Sequence, residues 1–227
     1  MHTYSIDRDL RRKVTIIIFA LSMIISLILN GLCSNLTDII PVFEETSPLK
    51  NVVELIQWFE IDPNVLVIPF WYVVMNYVYN NWIWKWRLFL KWHKIPNLNG
   101  KWQGSLTSSY NEQTIRMTMD IEQNWNKISF KSVFPDTKSE SYSNVAAIYV
   151  DANSGVEICF GFKNESHDVK TDLQSYEGYN VLRLKAGDQI WARYFNNRPN
   201  SNKEFKGGNK GSFELQRVSK KIEKTEK

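Results

Sequence analysis

The stretch Ile95–Tyr110, IPNLNGKWQGSLTSSY, divides the chain into two parts of different character. Pro96 and Gly100, with two asparagines between them, end any helix that arrives from the N-terminal side. From Trp102 onward the residues alternate at the two-residue period of a strand. The sequence therefore predicts helices before this stretch and a strand-rich domain after it.

On the N-terminal side lie two uncharged runs, Val14–Cys33 and Val65–Trp84. Each is about 20 residues long, enough to cross roughly 30 Å of hydrocarbon as a helix. We predict a transmembrane hairpin over residues 1–94, with spans at about 14–33 and 65–84. A cleaved signal peptide is the alternative for the first run, but its apolar core is longer than such peptides have. A buried helix of a soluble protein is a further alternative.

The charges around these runs predict their orientation. Basic residues precede the first run, between Arg8 and Lys13, and follow the second, between Lys85 and Lys94, whereas acidic residues dominate the connection 34–64. The positive-inside rule then places both termini in the cytoplasm and the connection outside. Cys33 and Cys159 would lie on opposite sides of the membrane, so we predict no disulfide.

Polar residues recur at helical spacing within both runs. Ser22, Ser26 and Asn30 share one face of the first helix, and Asn76 and Asn80 share one face of the second. Small and amide side chains let helices approach and hydrogen-bond in lipid. These faces are candidate assembly surfaces, either between the two helices of one chain or between chains.

Tryptophans and basic residues interleave from Tyr77 to Lys94. Such a pattern can bind nucleic acid, but beside a membrane span it is more typical of a headgroup anchor. We therefore expect the lipid bilayer as a partner, and no DNA or RNA.

After Gly100, period-two patterns recur between turn signals. They predict eight strands, at Lys101–Ser109, Thr114–Glu122, Lys127–Phe134, Glu140–Val150, Val156–Phe162, Tyr179–Lys185, Gln189–Phe195 and Gly211–Val218. Eight short sequential strands favour an all-β domain over residues 97–218, an eight-stranded up-and-down antiparallel barrel of the lipocalin-like kind, followed by a charged tail at 219–227. A β-sandwich is the alternative.

Loop lengths give this barrel a closed end and an open end. In a closed barrel the first and eighth strands are neighbours, so Arg217 can stack on Trp102 as a structural plug at the end where the first strand begins. This resembles the way lipocalins close one end of their barrel. The connections at the other end are longer and point away from the membrane.

The open end collects hydroxyls, aromatic rings and cations, which suit a planar, anionic ligand such as a nucleotide. A solvated polar rim is the alternative. The candidate ligand-binding residues are Ser108, Ser109, Tyr110, Arg116, Tyr142, Tyr179, Tyr194, Arg198, Lys203, Lys206 and Lys210.

No catalytic or metal-binding signature occurs in the sequence. The three histidines are His2, His93 and His167, and none has a partner at metal-ligand spacing. We therefore predict no enzymatic activity, no metal and no cofactor.

The architecture, and the motif G-x-W-x-G-x-L-x-S-S at Gly100–Ser109, resemble the two-transmembrane, β-strand-rich effectors of bacterial CBASS anti-phage defence. The resemblance implies a barrel that senses a cyclic nucleotide made by a partner nucleotidyltransferase. It also implies oligomerisation on activation and disruption of the bacterial inner membrane. A tethered lipocalin-like barrel for an apolar metabolite or lipid, and a purely structural anchor, are the alternatives.

Overall fold

The computed structural model describes residues 1–6, 9–32, 63–109, 113–151, 155–166, 175–185, 187–198 and 208–220. The chain divides into two compact units, Asp9–Ile83 and a second unit made of Met1–Arg8 with Trp84–Lys227. The first unit holds helices α1 (Leu10–Leu32) and α2 (Pro63–Asn81). The second unit is the barrel.

Within the first unit α1 packs against α2, and the rings of Phe19 and Tyr72 meet edge-on with centroids 6.2 Å apart. Val14, Ile18, Ser22 and Ser26, spaced four residues apart on α1, are buried. The Ser22 hydroxyl donates to the carbonyl of Ile18, four residues back, at 2.7 Å. The serine stripe is thus buried within the chain, and pairing between chains stays a prediction.

The other faces of α1 expose apolar side chains, such as Ile16, Phe19 and Leu27. In the part of the chain that the structure describes, no helix combines the length and the apolar composition that a bilayer crossing requires. Cys33 and the side chain of Asn30 lie outside the described residues.

A 3-10 turn, Ile83–Lys85, follows α2 in the chain. The described residues of the barrel unit form helix α3 (Arg87–His93) and nine strands. The strands are β1 (His2–Ile6), β2 (Gly100–Ser108), β3 (Thr114–Gln123), β4 (Lys127–Phe134), β5 (Ser139–Asp151), β6 (Gly155–Ser166), β7 (Tyr176–Lys185), β8 (Gln189–Asn196) and β9 (Asn209–Ser219). Strands β2–β9 are the eight that the sequence predicts, with ends shifted by a few residues. Each pairs antiparallel with the next, and β9 pairs with β2 to close the barrel.

The predicted number of strands is wrong, because β1 from the N-terminus is a ninth. Strands β4 and β5 pair beside their connecting turn, at Lys131–Phe134, and then separate. β1 fills the gap, antiparallel to β4 (His2 beside Ile128) and parallel to β5 (Tyr4 beside Ala146). Five residues before a long apolar helix carry too little alternation to predict a strand, and no local turn joins β1 to its partners.

The core of the barrel follows from the alternation along each strand. Inward positions such as Ile121, Ile128 and Leu182 are fully buried. Phe130 of β4 and Phe160 of β6 stack face to face across the interior, with centroids 4.0 Å apart. Burial of such side chains contributes roughly 1.5–3 kcal/mol each, so this interior stabilises the wall on which the site is built.

Candidate functional site at the open mouth of the barrel

The end of the barrel where β2 begins is closed by a tryptophan and an arginine. Trp102 is fully buried, and its indole N–H donates to the carbonyl of Leu98 at 3.0 Å. The Arg217 guanidinium lies 4.5 Å from the centroid of the Trp102 ring. It also donates to the carbonyl of Asn97 at 2.7 Å, while burial lowers the pKa of Arg217 despite nearby Asp188. This end therefore offers no entrance beside β2 and β9.

The segment that leads into β2 is fixed to the same end of the barrel by His93. Its Nδ1 accepts from the N–H of Ile95 and its Nε2 donates to the carbonyl of Trp84, both at 3.0 Å. The ring packs against Trp125 of the β3–β4 connection at 5.1 Å. Because Nδ1 must accept, His93 is neutral, and burial lowers its pKa.

Toward the opposite end, the inward-facing residues change from apolar to polar. On β6 the buried positions run from Phe160 through Phe162 to Asn164, and on β7 they run from Leu182 to Asn180. Burial of polar groups costs free energy unless each finds a partner. The run of inward-facing amides and hydroxyls at this end of the barrel therefore indicates a candidate binding site there.

At this end the barrel encloses a cavity of about 160 Å³. Its floor is apolar and is formed by Leu106, Ile115, Met117, Phe134, Phe162 and Phe213. Its mouth is lined by hydroxyls, amides, two tyrosines and one arginine: Ser108, Gln113, Ser132, Thr137, Ser139, Ser141, Asn164, Tyr176, Asn180, Tyr194, Asn196, Arg198 and Asn209. Among the described lining residues there is no carboxylate, and Arg198 carries the single formal charge.

Buried amides and hydroxyls form part of the polar lining. Asn164 donates to the Ser141 hydroxyl at 2.8 Å. The side chains of Asn180 and Ser132 are buried and line the cavity. Both are candidates for direct contact with a ligand, because an amide and a hydroxyl can each donate and accept hydrogen bonds.

Arg198 is positioned by hydrogen bonds that join the ends of β8 and β9. The side-chain carbonyl of Asn196 accepts from the backbone N–H groups of Arg198 and Asn209, at 3.1 and 3.3 Å. The Asn209 amide donates back to the Arg198 carbonyl at 3.1 Å. The guanidinium lies 5.6 Å from the centroid of the Tyr176 ring, a cation–π contact at the mouth.

Both tyrosines of the lining are neutral hydrogen-bond donors at physiological pH. The Tyr194 phenol hydrogen-bonds Ser108, and burial raises the pKa of Tyr194. Burial also raises the pKa of Tyr176, although Arg198 acts in the opposite direction. The mouth therefore combines one cation with uncharged donors and acceptors, which can bind an anion and the edges of heterocyclic bases.

The structure brings three of the predicted ligand-binding residues to the cavity: Ser108, Tyr194 and Arg198. Five others lie outside its lining: Ser109, Arg116, Tyr142, Tyr179 and Lys210. Tyr110, Lys203 and Lys206 lie outside the described residues.

Those five residues have other contacts. Arg116 is exposed on the outer wall and pairs with Asp136 at 2.7 Å. Tyr142 bonds to Glu140, and the Tyr179 ring lies 5.7 Å from that of Phe195, with a pKa that burial raises to about 12. Ser109 and Lys210 join β2 to β9 at the rim. The Tyr142 and Tyr179 rings face outward because successive residues of a strand alternate between its two faces. Their sequence neighbours, Ser141 and Asn180, are buried and occupy the inward positions.

Sequence reasoning missed most of the amides and hydroxyls of the lining. The signal that marks them is a polar residue in phase with the apolar face of its own strand. Asn164 continues the series Ile158, Phe160 and Phe162, and Asn180 continues Leu184 and Leu182. Among the described residues no cluster of His, Cys, Asp or Glu could hold a metal ion.

A closed barrel with one plugged end and a polar cavity at the other defines a receptor for a small polar ligand. A family model described as "Cap15, cyclic dinucleotide receptor domain" matches residues 93–217, which include every described residue of the cavity. The chain belongs to this family. The resemblance to the CBASS effectors that the sequence predicts is therefore confirmed.

One curated relative is CD-NTase-associated protein 15 of Escherichia albertii. It is 26% identical to this chain over 116 residues, which cover 49% of this chain and 58% of that protein. The match thus spans less than two thirds of the relative's length.

Proposed function

We propose that this chain is an anti-phage CBASS effector whose barrel binds a cyclic dinucleotide in the mouth cavity. The observation that carries the proposal is the presence of one positioned cation, Arg198, and buried amides such as Asn180 in one cavity lining. A guanidinium binds phosphate oxygens, and amides read the edges of bases. The family and the relative's name support the ligand class and a partner nucleotidyltransferase as its source.

A lipocalin-like function in binding an apolar metabolite is the second candidate. The apolar floor around Met117 and Phe213 favours it. The polar mouth disfavours it, because an apolar ligand offers no hydrogen bond to the amides and hydroxyls of the lining, such as Asn180.

Two arginines provide a matched test of the ligand site. We expect Arg198→Gln to weaken binding of cyclic dinucleotides at least about tenfold, since a hydrogen bond to a charged group contributes roughly 1.5–3 kcal/mol. Arg116→Gln removes an arginine from the outer wall, outside the cavity lining, and should leave the affinity unchanged. Isothermal titration calorimetry of each full-length variant in detergent, against a panel of cyclic dinucleotides, measures the two dissociation constants. Equal affinities for the two variants would place the phosphate contacts elsewhere.

We propose further that ligand binding promotes oligomerisation and that the helical unit then disrupts the bacterial inner membrane, with both chain termini in the cytoplasm. The uncharged runs and the exposed apolar faces of α1 support contact with lipid. The buried Ser26 hydroxyl has no hydrogen-bond partner among the described residues, so it is available for exchange when helices repack.

Substitution on α2 tests this output separately from ligand binding. Asn76 is half-buried, and Asn76→Leu removes an amide that can bond across helices. We expect cells that express this variant with an activated nucleotidyltransferase to keep their membrane potential, while the purified variant binds ligand normally. Val73→Leu, at an exposed apolar position of the same helix, is the control and should still depolarise. Depolarisation by Asn76→Leu at the wild-type rate would exclude this face from assembly.

A further inference from the structure

The segment Trp84–Lys94 has two different faces at the plugged end of the barrel. Trp84 and His93 are almost completely buried, and His93 contacts Trp125 of the barrel wall. In the same segment Trp86 and Leu88 are exposed, with 60% and 78% of their surface accessible to solvent. Leu88 and Trp92, which is 45% exposed, are four residues apart and share an outer apolar face of α3, and Trp86 is the N-cap residue that precedes it.

This apolar face is surrounded by positive charge. The sequence of the segment, WKWRLFLKWHK, holds Lys85, Arg87, Lys91 and Lys94 and no acidic residue. Arg87, Lys91 and Lys94 are exposed, and none forms an ion pair with a residue of the described chain. It is unfavourable to leave tryptophan and leucine side chains exposed to water. An exposed apolar patch ringed by unpaired cations therefore indicates a surface that binds a partner.

We propose that the outer face of α3 binds the headgroups of anionic phospholipids. Tryptophan is enriched at the boundary between headgroups and acyl chains, and basic side chains are attracted to an anionic leaflet. The exposed Leu88 side chain disfavours single-stranded nucleic acid as the partner of this face. Bases stack on aromatic rings and would leave the aliphatic side chain in water. In a membrane interface the same leucine is buried among acyl chains.

Hydrogen bonds of His93 fix the position of α3 on the barrel unit. His93 accepts from the N–H of Ile95 and donates to the carbonyl of Trp84, so both flanks of α3 are fixed by one buried ring. The Lys94 backbone then turns with a φ of 58°, which ends the helix before β2. This anchoring to the plugged end leaves the mouth cavity on the opposite end of the barrel free for its ligand.

A fluorophore on the face tests the proposal in the full chain. The probe is attached at Leu88→Cys in a Cys33→Ser background, in which the remaining Cys159 is buried. The control is the same label at Ser105→Cys, an exposed position on the outer wall of β2. The chain is reconstituted in nanodiscs of phosphatidylcholine alone, or of phosphatidylcholine with phosphatidylglycerol, both containing a spin-labelled lipid as quencher.

We expect quenching at position 88 to exceed that at position 105 several-fold, and to rise further with phosphatidylglycerol. Charge reversal by Arg87→Glu and Lys91→Glu together should abolish the rise, while titration shows unchanged ligand affinity in the mouth. Equal quenching at the two positions, or insensitivity to phosphatidylglycerol, would overturn the proposal. Loss of quenching when a single-stranded oligonucleotide is added would assign the face to nucleic acid instead. Failure of ligand binding alone would bear on the mouth cavity and leave this face unaffected.

Discussion

Trp102→Ala is the substitution with the largest predicted effect on the barrel. Trp102 is fully buried at the plugged end, where it contacts the Arg217 guanidinium and donates to the Leu98 carbonyl. Truncation removes the ring and leaves a cavity, which costs roughly 3–5 kcal/mol for a buried aromatic residue. Folded domains are stable by only about 5–15 kcal/mol, so this one change removes a large share of the total.

The barrel contains a matched control for this experiment. Trp191 also contacts an arginine, Arg193, at 5.6 Å, but it lies half-buried on the outer wall. Trp191→Ala should therefore cost much less than Trp102→Ala, because solvent already reaches part of its ring. A third variant, Trp102→Phe, keeps a ring and removes the N–H donor, with an expected cost of about 1–3 kcal/mol for the unpaired carbonyl of buried Leu98.

Thermal unfolding followed by near-ultraviolet circular dichroism measures these differences. For a barrel of this size, about 1 kcal/mol corresponds to a shift in Tm of roughly 3–5 °C. We expect Tm to fall by about 10–20 °C in Trp102→Ala, by less in Trp102→Phe and least in Trp191→Ala. Ligand affinity well below Tm should stay unchanged, because the cavity lies at the other end. Equal Tm values for Trp102→Ala and Trp191→Ala would refute the role of the plug.

Three further predictions concern the barrel unit. Deletion of His2–Ile6 should lower its Tm and increase dye binding, because β4 and β5 lose the strand between them; a Tm equal to wild type would make β1 dispensable. Gly104→Ala should prevent normal folding, since a Cβ there would lie 1.8 Å from the Glu214 carbonyl oxygen, whereas Ser105→Ala should unfold at the wild-type temperature. Burial lowers the pKa of His93 below its ordinary 6.5, so the unfolded chain binds the proton more tightly and stability should fall as pH drops below about 6.5; Tm measured against pH should be flatter in His93→Gln, and parallel curves would contradict this.

Strands β2–β9 could be predicted from the sequence because each has its own alternation of apolar and polar residues and is bounded by its own turn signals. Strand β1 could not, since its partners around Ile128 and Ala146 are more than a hundred residues away in sequence and no local turn joins them. The plug follows from strand order alone, because closure makes Trp102 and Arg217 neighbours.

The position of the cavity was also accessible from sequence, but its lining was accessible only in part. Alternation places Arg116 outward beside the inward Ile115 and Met117. On β5 the phase is harder to follow, because a bulge between Ser143 and Val145 moves the inward set from odd to even positions. Extrapolation back from buried Ala146 and Ile148 would therefore turn Tyr142 to the wrong face.

Strand β1 has a consequence for how the chain can be threaded through a bilayer. Strand β1 (His2–Ile6) and strands β2–β9 form one closed hydrogen-bonded wall, so the chain leaves the barrel unit after Arg8 and returns to it at Trp84. A wall of this kind cannot have strands on two sides of a membrane. In any arrangement in which the chain crosses a bilayer between Ile6 and Trp84, the number of crossings is therefore even, and the N-terminus and the barrel lie on the same side.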